Sequence, residues 1–451
     1  VIVDTTSMLE RRCRERWYPL RDHAVQLAYV HDPVRFKLAP CGRRSGKTER
    51  AKRKLVKAAW RTPGKPFFAG APTYGQAKKI WWEDLKLLSF APLMGPRSVS
   101  EGELIIRFPN QASIHVLGLD QPARVEGIPW GGGVVDEIAD CHADAVPMHI
   151  LPSLSTVDPR DPEYRAWLDL IGVPEGLNHY YKLCEQARTG QWPDARVYHW
   201  ISADILPADE IEARRGTMSL QQFRQEYEAS FEGATGRIYA DYGDKNTTAE
   251  RIQPNEALAW MHDFNYTPLS SAIAVERAGK LYALDEIVLT SAVAHNTAVE
   301  FCERYKTHGN RVIRLYGDPA GRAGEKHAQQ SNYTAIESYL RSQGWTVDRR
   351  VKLAAPAIRD RQNAVRAKIC NARGERTLFV NPRTCPTLHD GLSTVQLKEG
   401  SAFQEDDSNS AQHITTALGY WIDREWPVLI DSAAPKRIVT PVPSASPWRR
   451  P

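Results

Sequence analysis

The chain has 451 residues, enough for two or three domains that each bury a core, and its hydrophobic fraction of 42% with 25% charged residues is that of ordinary globular protein. A net charge of +5, from 59 basic against 54 acidic residues, is too slight to argue nucleic-acid binding by itself. Seven scattered cysteines without a C-x-x-C pair or a Cys/His cluster of zinc-ligand spacing point to thiols in a reducing cytosol, the charged start VIVDTTSMLERRCRERW leaves no apolar signal core, and no run approaches the roughly 20 apolar residues that span a bilayer.

Residues 6–30 read as one helix, with Ser7 as N-cap and Glu10 in the capping-box position. Gln26 lies near its end, where a glutamine either hydrogen-bonds both edges of an adenine or sits on the surface. Residues 35–39 suit a short strand, and Ala51, Leu55, Ala58 and Ala59 recur at helical spacing beyond it. Between them lies CGRRSGKT. At such a strand-to-helix turn the backbone of Gly42, Arg43, Arg44, Ser45 and Gly46 aims N–H groups at a phosphate chain, Lys47 reaches its outer phosphates and the Thr48 hydroxyl ligates Mg²⁺. Glycine ordinarily stands where Cys41 is, so the loop alone also reads as an exposed basic turn before an amphipathic helix.

Strand, turn and helix recur over residues 66–72 and 76–88, and residues 103–108 and 113–119 alternate around Asn110-Gln111 as a hairpin. GGGVVDE then ends an apolar strand in two acids. Asp136 can hold Mg²⁺ through water and Glu137 can orient and polarise an attacking water. Such a pair is by itself a solvated turn, but 89 residues after Lys47 it reads as the second half of a nucleotide-hydrolysis site. Arg124, 12 residues before Asp136, can present a guanidinium to a transferring phosphoryl group, in its own chain or across a subunit boundary, or form a surface salt bridge. DLIGVPEG, residues 169–176, is a further strand running into a turn, of the kind that senses a γ-phosphate in multi-lobed ATPases. The charged helical stretch 177–232, with LQQFRQEYE its clearest piece, is expected to form a lid. The first domain is therefore expected over residues 1–232, followed by a linker over 233–256.

Residues 259–264 form a strand that carries Asp263 amid apolar neighbours. Residues 271–275 and 281–289 form a hairpin with Asp285 and Glu286 on its second arm, and residues 311–316 a strand that ends at Asp318. Carboxylates on neighbouring strands are costly to bring together unless a divalent cation neutralises them, and two Mg²⁺ or Mn²⁺ ions held in this way activate water for phosphodiester cleavage. An aspartate at a strand end is also common turn chemistry. This domain is expected over residues 257–432, with a proline-rich basic tail, disordered or docking, over 433–451.

As an ordered set, these motifs resemble the large terminase subunit of tailed bacteriophages over roughly residues 17–426. GRRSGKT resembles its Walker A loop, residues 71–78 its next strand-helix motif and VVDE its Walker B. Residues 171–176 resemble its coupling motif, with Val173 where a hydroxyl residue often stands. Arg124 matches its arginine before Walker B, proposed to act in trans. The resemblance implies an α/β fold, a P-loop NTPase domain with a parallel-type central sheet followed by a ribonuclease H-like nuclease domain. It also implies ATP with Mg²⁺ in the motor and two Mg²⁺ or Mn²⁺ in the nuclease. Asp263 then matches the first nuclease acid and Asp318, 55 residues later, the second, with Glu286 a further candidate ligand. The family's closing helix often carries His, two residues and Asp-Ala-Leu. Here it reads His413-Ile-Thr-Thr-Ala-Leu with Thr416 in the acid's place, so Asp407, or Asp406 beside it, is expected to reach the metals with help from His413; the alternative is a solvated acidic loop. The implied function is ATP-driven translocation of double-stranded DNA into a procapsid, with cutting of the concatemeric genome. The implied partners are DNA, the portal protein, the small terminase subunit and further copies of the chain, monomeric in solution and a ring, a pentamer, on the procapsid in the host cytoplasm, with no membrane. Two other functions fit the residues: a helicase or translocase with a non-cleaving second domain, and a packaging assembly protein with a decayed nuclease.

Overall fold

The apolar runs between glycine and proline breakers become the strands of two sheets. The computed structural model describes residues 5–155, 157, 161–231, 236–265, 267–322, 331–398 and 403–428. The expected tail at 433–451 lies outside them. The first sheet has eight strands: β1 (Phe36–Pro40), β2 (Pro66–Ala71), β3 (Val99–Ser100), β4 (Ile105–Arg107), β5 (Ser113–Gly118), β6 (Gly132–Val135), β7 (Trp167–Gly172) and β8 (Ala195–Val197), in the order β3-β4-β5-β2-β6-β7-β1-β8. From β5 to β8 all pairings are parallel, whereas β3-β4-β5 is an antiparallel margin that contains the expected hairpin. Parallel strands are buried on both faces, and successive residues of β1 show it: Leu38 enters one core and Ala39 the other.

Two expectations change here. The helix expected over 6–30 is two helices, Thr5–Arg16 and Ala24–His31, parted by a segment containing Pro19, which has no N–H to continue the ladder. The expected lid is only partly helical. Its β8 joins the central sheet beside β1, a three-residue strand too short to leave a periodic signal.

A buried ionic group braces this sheet below the phosphate loop. Lys37 of β1 lies in register with Asp169 of β7. Asp169 takes Lys54 Nζ on both oxygens at 2.6 and 2.7 Å and the Tyr29 hydroxyl at 2.7 Å, while Lys37 Nζ donates to the Tyr29 carbonyl at 2.6 Å. Burial, with Lys54 nearby, pulls the Lys37 ammonium down to about 8. Lys54 belongs to the helix Lys47–Arg61 that leaves the phosphate loop, so this group ties that helix to β7. Asp169→Ala strands the Lys54 amine and the buried Tyr29 hydroxyl and is expected to cost about 3–5 kcal/mol of first-domain stability, read as a lowered urea midpoint; a shift below about 1 kcal/mol contradicts a bracing role.

The second sheet has six strands: β9 (Leu258–Asp263), β10 (Leu269–Arg277), β11 (Lys280–Leu289), β12 (Val312–Gly317), β13 (Thr346–Arg349) and β14 (Leu378–Val380), in the order β13-β12-β9-β10-β11-β14. β9, β10 and β11 are antiparallel neighbours, while β12 runs parallel to β9, the ribonuclease H-like arrangement. Trp260 and Met261 point to opposite faces, one core holding the helices Ala294–Arg304 and Asn332–Ser342 and the other Ile358–Ile369 and Gln412–Glu425. Ile238, Tyr239 and Tyr242, from the stretch expected as linker, belong to the second of these cores. The two halves meet through paired groups. Arg359 binds Glu175 at 3.0 Å, Arg373 binds Glu212 at 2.6 Å and Asn371 donates to the Gly216 carbonyl at 3.0 Å.

Candidate active sites

The phosphate loop follows β1 and is clamped from three sides. Gly46, at φ +85°, caps the next helix in the left-handed region that favours glycine. At Gly42 a Cβ would lie 2.4 Å from Ser202 Oγ and 2.7 Å from the Tyr227 carbonyl, so only glycine lets residues 202 and 227 close on the loop. The Ser45 carbonyl accepts Trp200 Nε1 at 2.9 Å and Gln26 Nε2 at 2.6 Å. Arg43 donates from its backbone to the Glu226 carbonyl at 2.6 Å and from Nε to the Glu226 carboxylate at 2.5 Å. Ser202, Trp200 and Glu226 hold the loop in place and were missed by sequence reasoning, since nothing local marks them. Gln26, expected to read an adenine or lie exposed, is buried and spends its amide on Ser45 and on Arg50 Nε at 3.0 Å.

Across the sheet, Thr48 Oγ1 donates to Asp136 Oδ2 at 2.6 Å. Two motifs 88 residues apart therefore share one edge, with Lys47 buried beside them. The donor set of a hydroxyl, a carboxylate and an ammonium fits Mg²⁺ with a phosphate chain. Glu137 follows at φ +52°, its N–H on Asp136 Oδ1 at 2.9 Å. Burial raises the Glu137 carboxyl and Lys47 opposes that, with Asp136 adding to the rise. Arg124 stands apart from this edge in an exposed turn, 3.7 Å from Asp120.

Beyond Glu137 the chain turns through Ile138–Asp140 toward Glu175, in the segment that follows β7. Burial and the facing Asp140 push Glu175 up to about 7, against the pull of Arg359 from the second half. Its ordinary value is 4.5, so the folded chain keeps a proton that the unfolded chain releases. That stabilisation is complete below the ordinary value and fades as pH rises through about 7. Glu175→Gln keeps a neutral partner for Asp140 and is expected to flatten the dependence of the melting temperature on pH between about 5 and 8, with the variant the more stable at the upper end; parallel profiles contradict the shared proton.

The second constellation sits at the carboxyl ends of β9 and β12. His262 pairs in register with Gly317, and the Asp318 N–H donates to the His262 carbonyl at 3.2 Å, so Asp263 and Asp318 emerge side by side. At Gly317, φ +148°, a Cβ would lie 2.4 Å from that carbonyl, so the approach requires glycine. Asp263 Oδ2 meets His413 Nδ1 at 2.9 Å and Asn265 Nδ2 at 3.3 Å. Asp318 Oδ1 accepts the Ala320 N–H at 2.9 Å. Tyr420, on the helix of His413, is close enough for both acids to act on its phenol, which burial pushes up to about 12.

The remaining expected ligands are elsewhere. Glu286 accepts the N–H groups of Thr387 and Leu388 at 2.9 Å each, one on each oxygen, capping the helix Pro386–Thr394; the correction follows from orphan donors at a helix start. The Asp407 side chain is 83% exposed and 4.0 Å from Lys398, and Asp406 closes a turn on the Ser408 N–H at 2.9 Å. The acid at Thr416 is instead Glu405, whose Oε2 accepts the Thr416 hydroxyl at 3.2 Å and whose Oε1 takes Arg361 Nη2 at 3.1 Å and Gln362 Nε2 at 3.0 Å. Among the described residues no three or more His, Cys, Asp or Glu side chains gather as a metal site. Among the described residues, Glu286, Asp406 and Asp407 do not join the Asp263–Asp318 edge.

Residues 40–241 match the family model described as terminase large subunit, T4likevirus-type, N-terminal. The chain is also similar to the large terminase subunits of Thermus phage G20c and Thermus virus P23-45, each 24% identical over 252 residues, 49% of this chain and 50% of theirs. It spans about half the length of these curated relatives. Among solved structures it resembles the large terminase of a thermophilic bacteriophage, with TM-score 0.59 and 16% identity over 90% of this chain and 99% of that one. The same protein in complex with ATP-γ-S gives TM-score 0.55 and 17% identity over 89% and 98%. At such identity the likeness is one of fold, and it runs through both sheets.

Proposed function

We propose, for a chain whose residues 40–241 match the terminase large subunit family model and which shares the large-terminase fold, an ATP-driven motor for double-stranded DNA joined to an endonuclease. The contact of Thr48 with Asp136 at 2.6 Å carries the motor reading, because it joins the phosphate loop to the acid that completes the site. Lys47 binds the outer phosphates, Thr48 and Asp136 hold Mg²⁺, and Glu137 positions the attacking water. Mg²⁺ supplies neutralisation of the charge that develops on the phosphoryl oxygens. Gln26, Trp200 and Glu226 fix the loop, so that its N–H groups are oriented before nucleotide arrives. The exposure of Arg124 supports its action on a neighbouring subunit's site within a ring. In this reading the ring, a pentamer, docks on a procapsid portal in the host cytoplasm with the small subunit and DNA as partners, and the Asp263–Asp318 edge cuts the concatemer.

Linear double-stranded DNA is expected to raise ATP turnover severalfold while a labelled forked duplex stays paired. Strand separation at the fork would replace this reading with the helicase. A second reading, an assembly protein with a decayed nuclease, takes support from the Glu405–Arg361 pair at Thr416 and predicts no cleavage in Mn²⁺.

A further inference from the structure

We infer that the acidic edge of the second domain is built for one divalent cation, between Asp263 and Asp318, and that the buried Arg361–Glu405 pair excludes a second. The inference rests on the nuclease reading. Three observations carry it.

A second cation beside the first needs a further anionic ligand, because two divalent charges at close range repel. On the helix Gln412–Glu425, one turn along from the His413 that meets Asp263, Thr416 offers only a hydroxyl, and its oxygen is turned to Glu405. The Glu405 carboxylate is in turn matched by Arg361, each side chain 8% exposed. Drawing Glu405 away to a cation would strand a buried guanidinium, a costly change in low dielectric.

Arg361 is also held where it is. Its stem lies against Gly419, where a Cβ would be 2.6 Å from Arg361 Cγ, and its guanidinium lies 5.3 Å from the centre of the Tyr420 ring. Gly419 and Tyr420 lie on the helix whose His413 meets Asp263, so a fixed positive charge packs against the helix that borders the acid pair. Arg361 Nε is buried and has no hydrogen-bond partner among the described residues, a donor that no protein acceptor balances.

The acid pair itself keeps the capacity for one ion. His413 and Asn265 take Asp263 Oδ2, and the Ala320 N–H takes Asp318 Oδ1. Among the described residues, Asp263 Oδ1 and Asp318 Oδ2 accept no hydrogen bond from protein.

The test is a count of Mn²⁺ ions bound per full-length chain, by equilibrium dialysis and metal analysis without nucleotide, with Asp136→Asn present throughout to silence the motor site. One ion is expected, lost on Asp263→Asn. Two ions in the Asp136→Asn protein overturn the inference and leave the nuclease reading intact, whereas none overturns both. Thr416→Asp with Glu405→Gln restores an acid while removing its like-charged neighbour, and is expected to raise the count from one to two; a folded double variant that still holds one ion overturns the assignment of the Arg361–Glu405 pair as the excluding element.

Discussion

Lys47→Ala is expected to lower ATP turnover at saturating ATP by at least about a hundredfold, the scale of removing one preorganised charge-stabilising group from a transition state. The magnitude follows from the position of Lys47. It is buried at the start of its helix, beside the Thr48–Asp136 contact. There the ammonium faces charge developing on the outer phosphate in a setting of low dielectric, and neither Arg43, committed to Glu226, nor Lys54, committed to Asp169, is free to replace it. The loop is held by Gln26, Trp200 and Ser202 through backbone groups, so the variant is expected to fold with an unchanged far-ultraviolet spectrum. Turnover within a few-fold of wild type would remove the phosphate loop from the mechanism.

Asp263→Asn is the second large effect. Plasmid linearisation in Mn²⁺ is expected to fall below detection, a loss of roughly a thousandfold or more if the carboxylate is the main anionic ligand of the site. Asparagine preserves the shape, and its Oδ can still accept from Asn265, so the strand end is expected to keep its geometry while losing its charge. Asp407→Asn, at an exposed loop position facing Lys398, is expected to cut as well as wild type. The contrast decides between the acids that sequence order suggested. If Asp407→Asn loses cleavage and Asp263→Asn keeps it, the acidic edge described above is not the cutting site.

What was legible in the sequence was whatever is encoded locally. Strand, turn and helix around Lys47, the apolar strand ending in Asp136 and Glu137, and the strand ends at Asp263 and Asp318 all carry their signal within a few residues, and both sheets formed around them. Glu405 was hidden by its own neighbours. In Gln404-Glu-Asp-Asp407 three acids are equivalent until the loop direction is known, and only the fold turns Glu405 to Thr416 and leaves Asp407 in water. Glu286 misled for a similar reason, since a buried carboxylate near a strand can serve a helix start as well as a cation. The clamp of Trp200, Ser202 and Glu226 is tertiary throughout: each lies more than 150 residues from the loop atom it meets, so no window of sequence contains both.

The most direct test measures ATP turnover and Mn²⁺-dependent plasmid linearisation side by side on wild-type, Lys47→Ala and Asp263→Asn protein. Two separate centres on one chain predict a reciprocal pattern, in which Lys47→Ala cuts without hydrolysing ATP and Asp263→Asn hydrolyses ATP without cutting. Loss of neither activity in its own variant, or loss of both in a variant that circular dichroism shows to be folded, would contradict a motor and a nuclease built at these two strand edges.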